Sequence, residues 1–193
     1  MNTMQVSEVT RKLLALLLAL LLFGCTGNTE LKGILDEQLM ASAGRGDLAT
    51  VAALLIIGAN PSAETAFGIT ALKKAVDSRN VDVVKLLLER GADVNATTSD
   101  GSTILMWSTI PGQPEVVELL LDKGAEVNAR AKNGSTALMW AATMKRGELV
   151  KLLLTKGADV HAINRDNMTA VKMARERGHE EIVELLKTYG SKE

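Results

Sequence analysis

The residues able to do chemistry in this chain are few and scattered. Its histidines are His161 and His179, and its single cysteine is Cys25. A catalytic nucleophile needs a base beside it and a third group to orient that base, and no such set can be argued from two scattered histidines. No Cys/His cluster has metal-ligand spacing. No Gly-x-x-x-x-Gly-Lys-Ser/Thr loop is present to cradle a phosphate. Asn95-Ala96-Thr97, Asn133-Gly134-Ser135 and Asn167-Met168-Thr169 match the N-glycosylation triplet, but they recur because a larger unit recurs around them. The sequence predicts no enzymatic activity, no metal and no cofactor. One cysteine also excludes an intrachain disulfide.

Cys25 is the residue with a chemical context. Arg11 and Lys12 precede eleven apolar residues, Leu13 to Phe23, which run into Gly24-Cys25. A basic start followed by an apolar run of this length reads as a secretory signal, and the run is short of the ~20 residues that cross a bilayer. Leu22-Phe23-Gly24-Cys25 resembles the bacterial lipobox, with Phe23 where that pattern has a small residue. The resemblance implies that residues 1–24 are removed, that the Cys25 thiol takes a diacylglycerol and that the new amine is acylated. Several acyl chains together anchor stably where one is marginal. An uncleaved anchor and an ordinary secretory cut are the alternatives. Thr26, rather than Asp, follows the cysteine, and the resemblance then favours the outer over the inner membrane. The expected location is the bacterial cell envelope, lipid-anchored and facing the periplasm.

The rest of the chain is a repeat. Gly58, Gly91, Gly124, Gly157 and Gly190 stand 33 residues apart, and Gly68, Gly101 and Gly134 keep the same step, with Asn167 in the last place. Thr70, Thr103, Thr136 and Thr169 form a third ladder in that register. A fixed period of this size marks a stacked repeat array. Hydrophobic residues make up 47% of the chain and aromatics 3%, so the core is built from Leu, Val, Ala and Met. A net charge of −1 gives no general pull toward nucleic acid or anionic lipid.

The unit 133–162, NGSTALMWAATMKRGELVKLLLTKGADVHA, resembles the ankyrin repeat, over about Leu35 to Gly190. The implied fold is an all-α solenoid of about five helix-turn-helix repeats with β-hairpin-type fingers, its first repeat degenerate as a cap. The expected layout is a signal peptide over 1–24, a lipidated cysteine and short linker over 25–30, the repeat domain over 31–190 and a tail over 191–193. Each threonine is expected to cap a first helix, each GAD-type glycine to end a second helix in the left-handed region. In the first unit, Leu31, Ile34, Leu35 and Leu39 are spaced for a helix face that Gly44 to Asp47 ends. In the third, Val116, Val117, Leu119 and Leu120 are expected inside and Glu115, Glu118 and Asp122 outside; Pro111 should end its first helix and Pro114 open its second. The family's proline is absent after every threonine. Its histidine is replaced by Lys73, Met106, Met139 and Lys172, which removes a side-chain network between repeats. His179 falls in the family's Gly-His loop position, where it is structural.

In that family the fingers and first helices form one concave face that binds other proteins. The residues here that the repeat itself does not need are the candidates. At the finger tips they are Thr98, Ser99, Arg130, Lys132, Ile163 and Arg165. On and after the first helices they are Asp77, Ser78, Ile110, Thr143, Met144, Lys145 and Arg146. Trp107 and Trp140 share one repeat position and should lie side by side, either packed between first helices or half-exposed as aromatic anchors. Arg130, Lys132, Lys145, Arg146 and Arg165 would give the face a basic end suited to a partner with an acidic patch, where the earlier tip residues Thr97, Ser99 and Asp100 carry little or negative charge. The expected function is a membrane-tethered, monomeric protein-binding module with no nucleic-acid role. The alternative is an envelope-organising factor without one defined ligand.

Overall fold

Residues 28–190 are described by the computed structural model; Cys25, with the rest of 1–27, and the tail 191–193 lie outside the described residues. Among the described residues ten α-helices follow one another: α1 (Asn28–Arg45), α2 (Leu48–Ile56), α3 (Ala71–Asp77), α4 (Val81–Glu89), α5 (Ile104–Ser108), α6 (Pro114–Asp122), α7 (Ala137–Thr143), α8 (Gly147–Thr155), α9 (Ala170–Glu176) and α10 (Glu180–Thr188). They make five pairs, with first helices stacked on first helices and second on second. Extended fingers join the pairs and, among the described residues, contribute only isolated bridges at Glu64–Thr70 and Thr97–Thr103. The all-α repeat solenoid is therefore the fold.

Local sequence sets each helix. The hydroxyls of Thr70, Thr103, Thr136 and Thr169 accept from the N–H groups of Lys73, Met106, Met139 and Lys172 at 3.1–3.4 Å, satisfying a donor that a helix start leaves open. Pro114 opens α6 at a position that needs no N–H, and α5 ends at Ser108, ahead of Pro111. The second helices of the last four repeats bury the same three-residue stripe, Val83, Val84 and Leu87; Val116, Val117 and Leu120; Leu149, Val150 and Leu153; Ile182, Val183 and Leu186, and α2 buries Val51 and Leu54. Glu115, Glu118 and Asp122 are exposed as expected, while Leu119 is only half-buried.

The first repeat departs from its expected form. Helix α1 begins at Asn28 and runs through Gly44 and Arg45, breaking only at Gly46, whose φ is +70°. A glycine inside a helix costs about 1 kcal/mol. Here the neighbours Leu39, Ser42 and Ala43 are fully buried and Arg45 donates to the Ser42 hydroxyl at 3.0 Å, so packing outweighs that cost. Along α1 the buried stripe is Leu35, Leu39 and Ala43; Leu31 is half-buried and Ile34 lies on the other face, 51% exposed.

The repeats are tied together in ways the missing histidines did not suggest. Asn80 donates to the Gly46 carbonyl (3.1 Å), Gln113 to Arg79 (3.2 Å), Arg146 to Ile110 (2.6 Å) and His179 Nδ1 to Ala142 (3.1 Å). Each of these residues is the N-cap of a second helix reaching back one repeat. On the other side of the stack, Asn128 donates to the Gly157 carbonyl and accepts from the Asp159 N–H (2.9 and 2.8 Å). Asn95 does the same with Gly124 and Glu126, and Ser62 with Gly91 and Asp93. This explains the Asn95 triplet as a clamp between repeats.

Candidate functional site

The fingers are positioned by one another. Ser99, Lys132 and Arg165 donate their backbone N–H groups to the carbonyls of Phe67, Asp100 and Asn133 at 2.9–3.0 Å, so each tip hangs on the one before. The approach is close enough to require glycine. A Cβ on Gly68 would run into the Thr97 carbonyl oxygen and lie 2.9 Å from Thr98 Cα, and one on Gly134 would lie 3.1 Å from Asn164 Cα. Asn167 stands in the last place of that ladder at φ +56°, a conformation asparagine tolerates better than most residues.

Trp107 and Trp140 do lie side by side, with ring centres 5.2 Å apart and planes at 80°. Their surroundings differ. The Trp107 indole N–H donates to the Thr98 hydroxyl at 3.2 Å, and the Lys73 ammonium stands 4.0 Å from its ring centre. Lys73 is itself buried and pairs with Asp77 at 2.7 Å. Trp107 is thus held by the fold from three sides. The Trp140 indole N–H makes no hydrogen bond among the described residues, and its ring is half-buried. Ile110, three residues beyond Trp107, is half-buried, and Met144, four beyond Trp140, is 43% exposed. The first-helix layer thus carries an aromatic pair, with the Trp140 N–H as a donor without a partner among the described residues.

The five expected cations divide. Arg130 donates to the Ile163 carbonyl, Lys132 to Ser99 (2.7 Å) and Arg146 to Ile110 (2.6 Å), so all three hold neighbouring repeats together. Lys145 and Arg165 are exposed, and their side chains make no hydrogen bond or ion pair among the described residues. Several other candidates are engaged by the fold itself. Thr98 is buried under Trp107, Asp77 pairs with Lys73, Ser78 donates to the Ala43 carbonyl at 3.1 Å and Thr143 to Met139 at 2.8 Å. Ser99 and Ile163 are exposed at their tips. Asp100 is also exposed, but its carboxylate takes the hydroxyls of Thr98 (2.5 Å) and Ser102 (2.8 Å). The Thr98 hydroxyl, foremost, holds the Asp100 carboxyl below its ordinary value; partial burial opposes this and the Ser102 donors add to it. The negative tip is therefore a finger brace.

Sequence reasoning missed two features of this face. Phe67, at the tip of the first finger, is 70% exposed; its repeat position holds Asp100, Asn133 and Asp166 elsewhere, and an aromatic among polar residues was the available signal. The second is a further ladder at the inter-helix loops. Gly46, Arg79, Gly112, Lys145 and Gly178 all have φ between +56° and +73°. Two cations thus occupy a left-handed place that three glycines occupy in the other repeats.

The described residues hold no cluster of three or more His, Cys, Asp or Glu side chains placed to bind a metal. No helix among them is long and apolar enough to cross a membrane. The architecture is that of a stacked helix-pair array whose one face carries fingers. The family model for ankyrin repeats, in three copies, matches residues 39–131 and again 129–192. The chain belongs to the ankyrin-repeat family. Ankyrin repeats generally mediate protein–protein interaction, and such proteins are typically non-enzymatic binding modules. No curated protein matches the chain.

Proposed function

We propose that the chain is a membrane-tethered binding module of the bacterial envelope that holds another protein on the face made by its fingers and first helices, centred on Trp140, Met144 and Lys145. The observation that carries this reading is Lys145. A non-glycine residue in the left-handed region costs about 1–2 kcal/mol, and glycine serves at that loop place in three of the five repeats. Strain of this kind is a pointer to function rather than to folding. The ammonium that results is exposed and unpaired among the described residues, next to Met144 and five residues from the free indole N–H of Trp140. A partner presenting an acidic side chain beside an apolar one would satisfy all three groups.

The tether in this proposal is the acylated Cys25. The test is affinity purification of the full chain from envelope membranes in mild detergent, beside Trp140→Ala/Lys145→Glu. The expected result is one partner at one-to-one stoichiometry with the native chain and its loss with the double variant. A partner retained equally by both, or none at stoichiometric level, overturns the assignment of this face. Cys25→Ser, with intact-mass measurement, tests the anchor separately: the acyl mass and membrane fractionation should both be lost.

A further inference from the structure

The outward stripe of the second helix changes character in the first repeat alone. In α4 it is Asp82, Lys85 and Glu89; in α6, Glu115, Glu118 and Asp122; in α8, Glu148, Lys151 and Thr155; in α10, Glu181, Glu184 and Thr188, all exposed. The same places in α2 hold Ala49, Ala52 and Ile56, with Leu48 beside them. Ile56 is 75% exposed and Leu48 40%. No charged residue occurs between Asp47 and Glu64. An end repeat ordinarily presents a polar outer face; here Leu48 and Ile56 stand exposed instead.

We propose that the outward face of α2 lies against the lipid bilayer, with Leu48 and Ile56 at the acyl boundary. The chain's path selects this occupant. Cys25 precedes the first residue of α1 by three positions, a reach of roughly 10 Å fully extended. The Asn60 N–H, four residues past Ile56, donates to Asp36 at the middle of α1 at 2.6 Å, about 12 Å of helix from its first residue, so the Ile56 end of α2 lies nearer than its Leu48 end to where the chain arrives. A bilayer held at Cys25 is then the nearest apolar phase to Ile56. This inference rests on the acylated-cysteine reading, since the tether is what brings the helix to the surface. Neighbouring charges do not drive it: Glu30, Asp36, Glu37 and Asp47 outnumber Lys32 and Arg45. The contact is apolar, of the kind an amphipathic helix makes with a membrane interface, and should be insensitive to salt.

The experiment places a photo-reactive residue at Ile56 in one full-length variant and at Asp122, on the outward stripe of α6, in another. Both are irradiated in isolated cell membranes, at low and high salt. Lipid adducts at position 56 at least ten-fold above those at 122, unchanged by salt, are expected. Transfer of the second repeat's stripe (Ala49→Asp, Ala52→Lys, Ile56→Glu) should preserve the helical signal and, with the probe moved to Leu48, bring lipid adducts down to the level at 122. Protein adducts at 56, which would mean a partner or a second copy covers the helix, or adducts no higher than at 122, overturn the proposal. Intact mass of the same samples reports whether Cys25 is acylated. Acylation without adducts leaves the anchor standing and removes the contact; adducts without acylation do the reverse.

Discussion

The Lys73 ammonium stands 4.0 Å from the centre of the Trp107 ring and 2.7 Å from the Asp77 carboxylate, bridging the second repeat to the third. The two tryptophans of the array are thereby made unequal. Trp107 has a cation on its face and an acceptor, Thr98, on its N–H; Trp140 has neither. Trp107→Ala should destabilise the chain by about 1.5–2 kcal/mol more than Trp140→Ala, the sum of a hydrogen bond near 1 kcal/mol and a cation–π contact of about 0.5–1. Trp140→Ala should instead weaken partner binding. Lys73→Met should change stability by less than about 1 kcal/mol, since Met106 and Met139 fill that position in the next repeats. Urea unfolding of the three variants decides the order.

The glycine ladders predict unequal costs for the same substitution. A Cβ on Gly124 would meet nothing within 4 Å, so Gly124→Ala bears only the left-handed backbone, about 1 kcal/mol. Gly68→Ala bears that and a collision with the Thr97 carbonyl, which is backbone and cannot turn aside. It should cost at least about 2 kcal/mol more, as overpacking does, and loosen the finger bond from Ser99 to Phe67. Equal unfolding midpoints for the two variants would contradict the finger-on-finger packing.

Acid should release one brace. The Asp100 carboxyl is held below its ordinary value by the Thr98 hydroxyl and the Ser102 donors. A carboxyl depressed on folding adds stability that is fully present above its unfolded value near 4 and is lost as pH falls through the lower folded value. Stability should therefore fall as the solution is taken below about pH 4, and Asp100→Asn should flatten that part of the curve while leaving neutral-pH folding intact. The group is exposed and the effect correspondingly small. Indole fluorescence is a direct monitor, because Thr98 joins Asp100 to Trp107.

Much of this fold was legible because the repeats after the first write their own punctuation in one register: a capping threonine, a tip glycine or Asn167, and a terminal glycine. Three of the four residues expected inside α6, Val116, Val117 and Leu120, followed from its spacing, and so did the pairing of Trp107 with Trp140. What could not be read were the contacts that reach across a repeat. Arg146 looked like a free cation because its acceptor, the Ile110 carbonyl, lies 36 positions back and is a backbone group with no sequence signature. Thr98 looked like a tip residue and is buried by a tryptophan nine positions on. The extension of α1 through Gly44 was hidden because local propensity argued for a break, and packing of Leu39 and Ala43 decided otherwise.

That division of the cations sets the decisive test of the binding face. Arg146→Glu would break the bond to Ile110 and leave the Arg146 loop altered, so a loss of binding in that variant would say nothing of charge. Lys145 and Arg165 are the clean pair: exposed, and without a side-chain partner among the described residues. Lys151, on the outward stripe of α8, is the matching control. Lys145→Glu/Arg165→Glu should leave stability within about 0.5 kcal/mol, as exposed substitutions do, and slow association with an acidic partner about ten-fold at low salt. The slowing should shrink as ionic strength rises, because charges are screened beyond ~10 Å at 0.1 M. Lys145→Gly should remove the charge and stabilise the loop by about 0.5–1 kcal/mol through relief of its left-handed backbone, which separates the electrostatic role of the residue from its conformational cost. Equal association rates for Lys145→Glu/Arg165→Glu and Lys151→Glu, or rates indifferent to salt, would take the cations out of the site and leave Trp140 and Met144 as its centre.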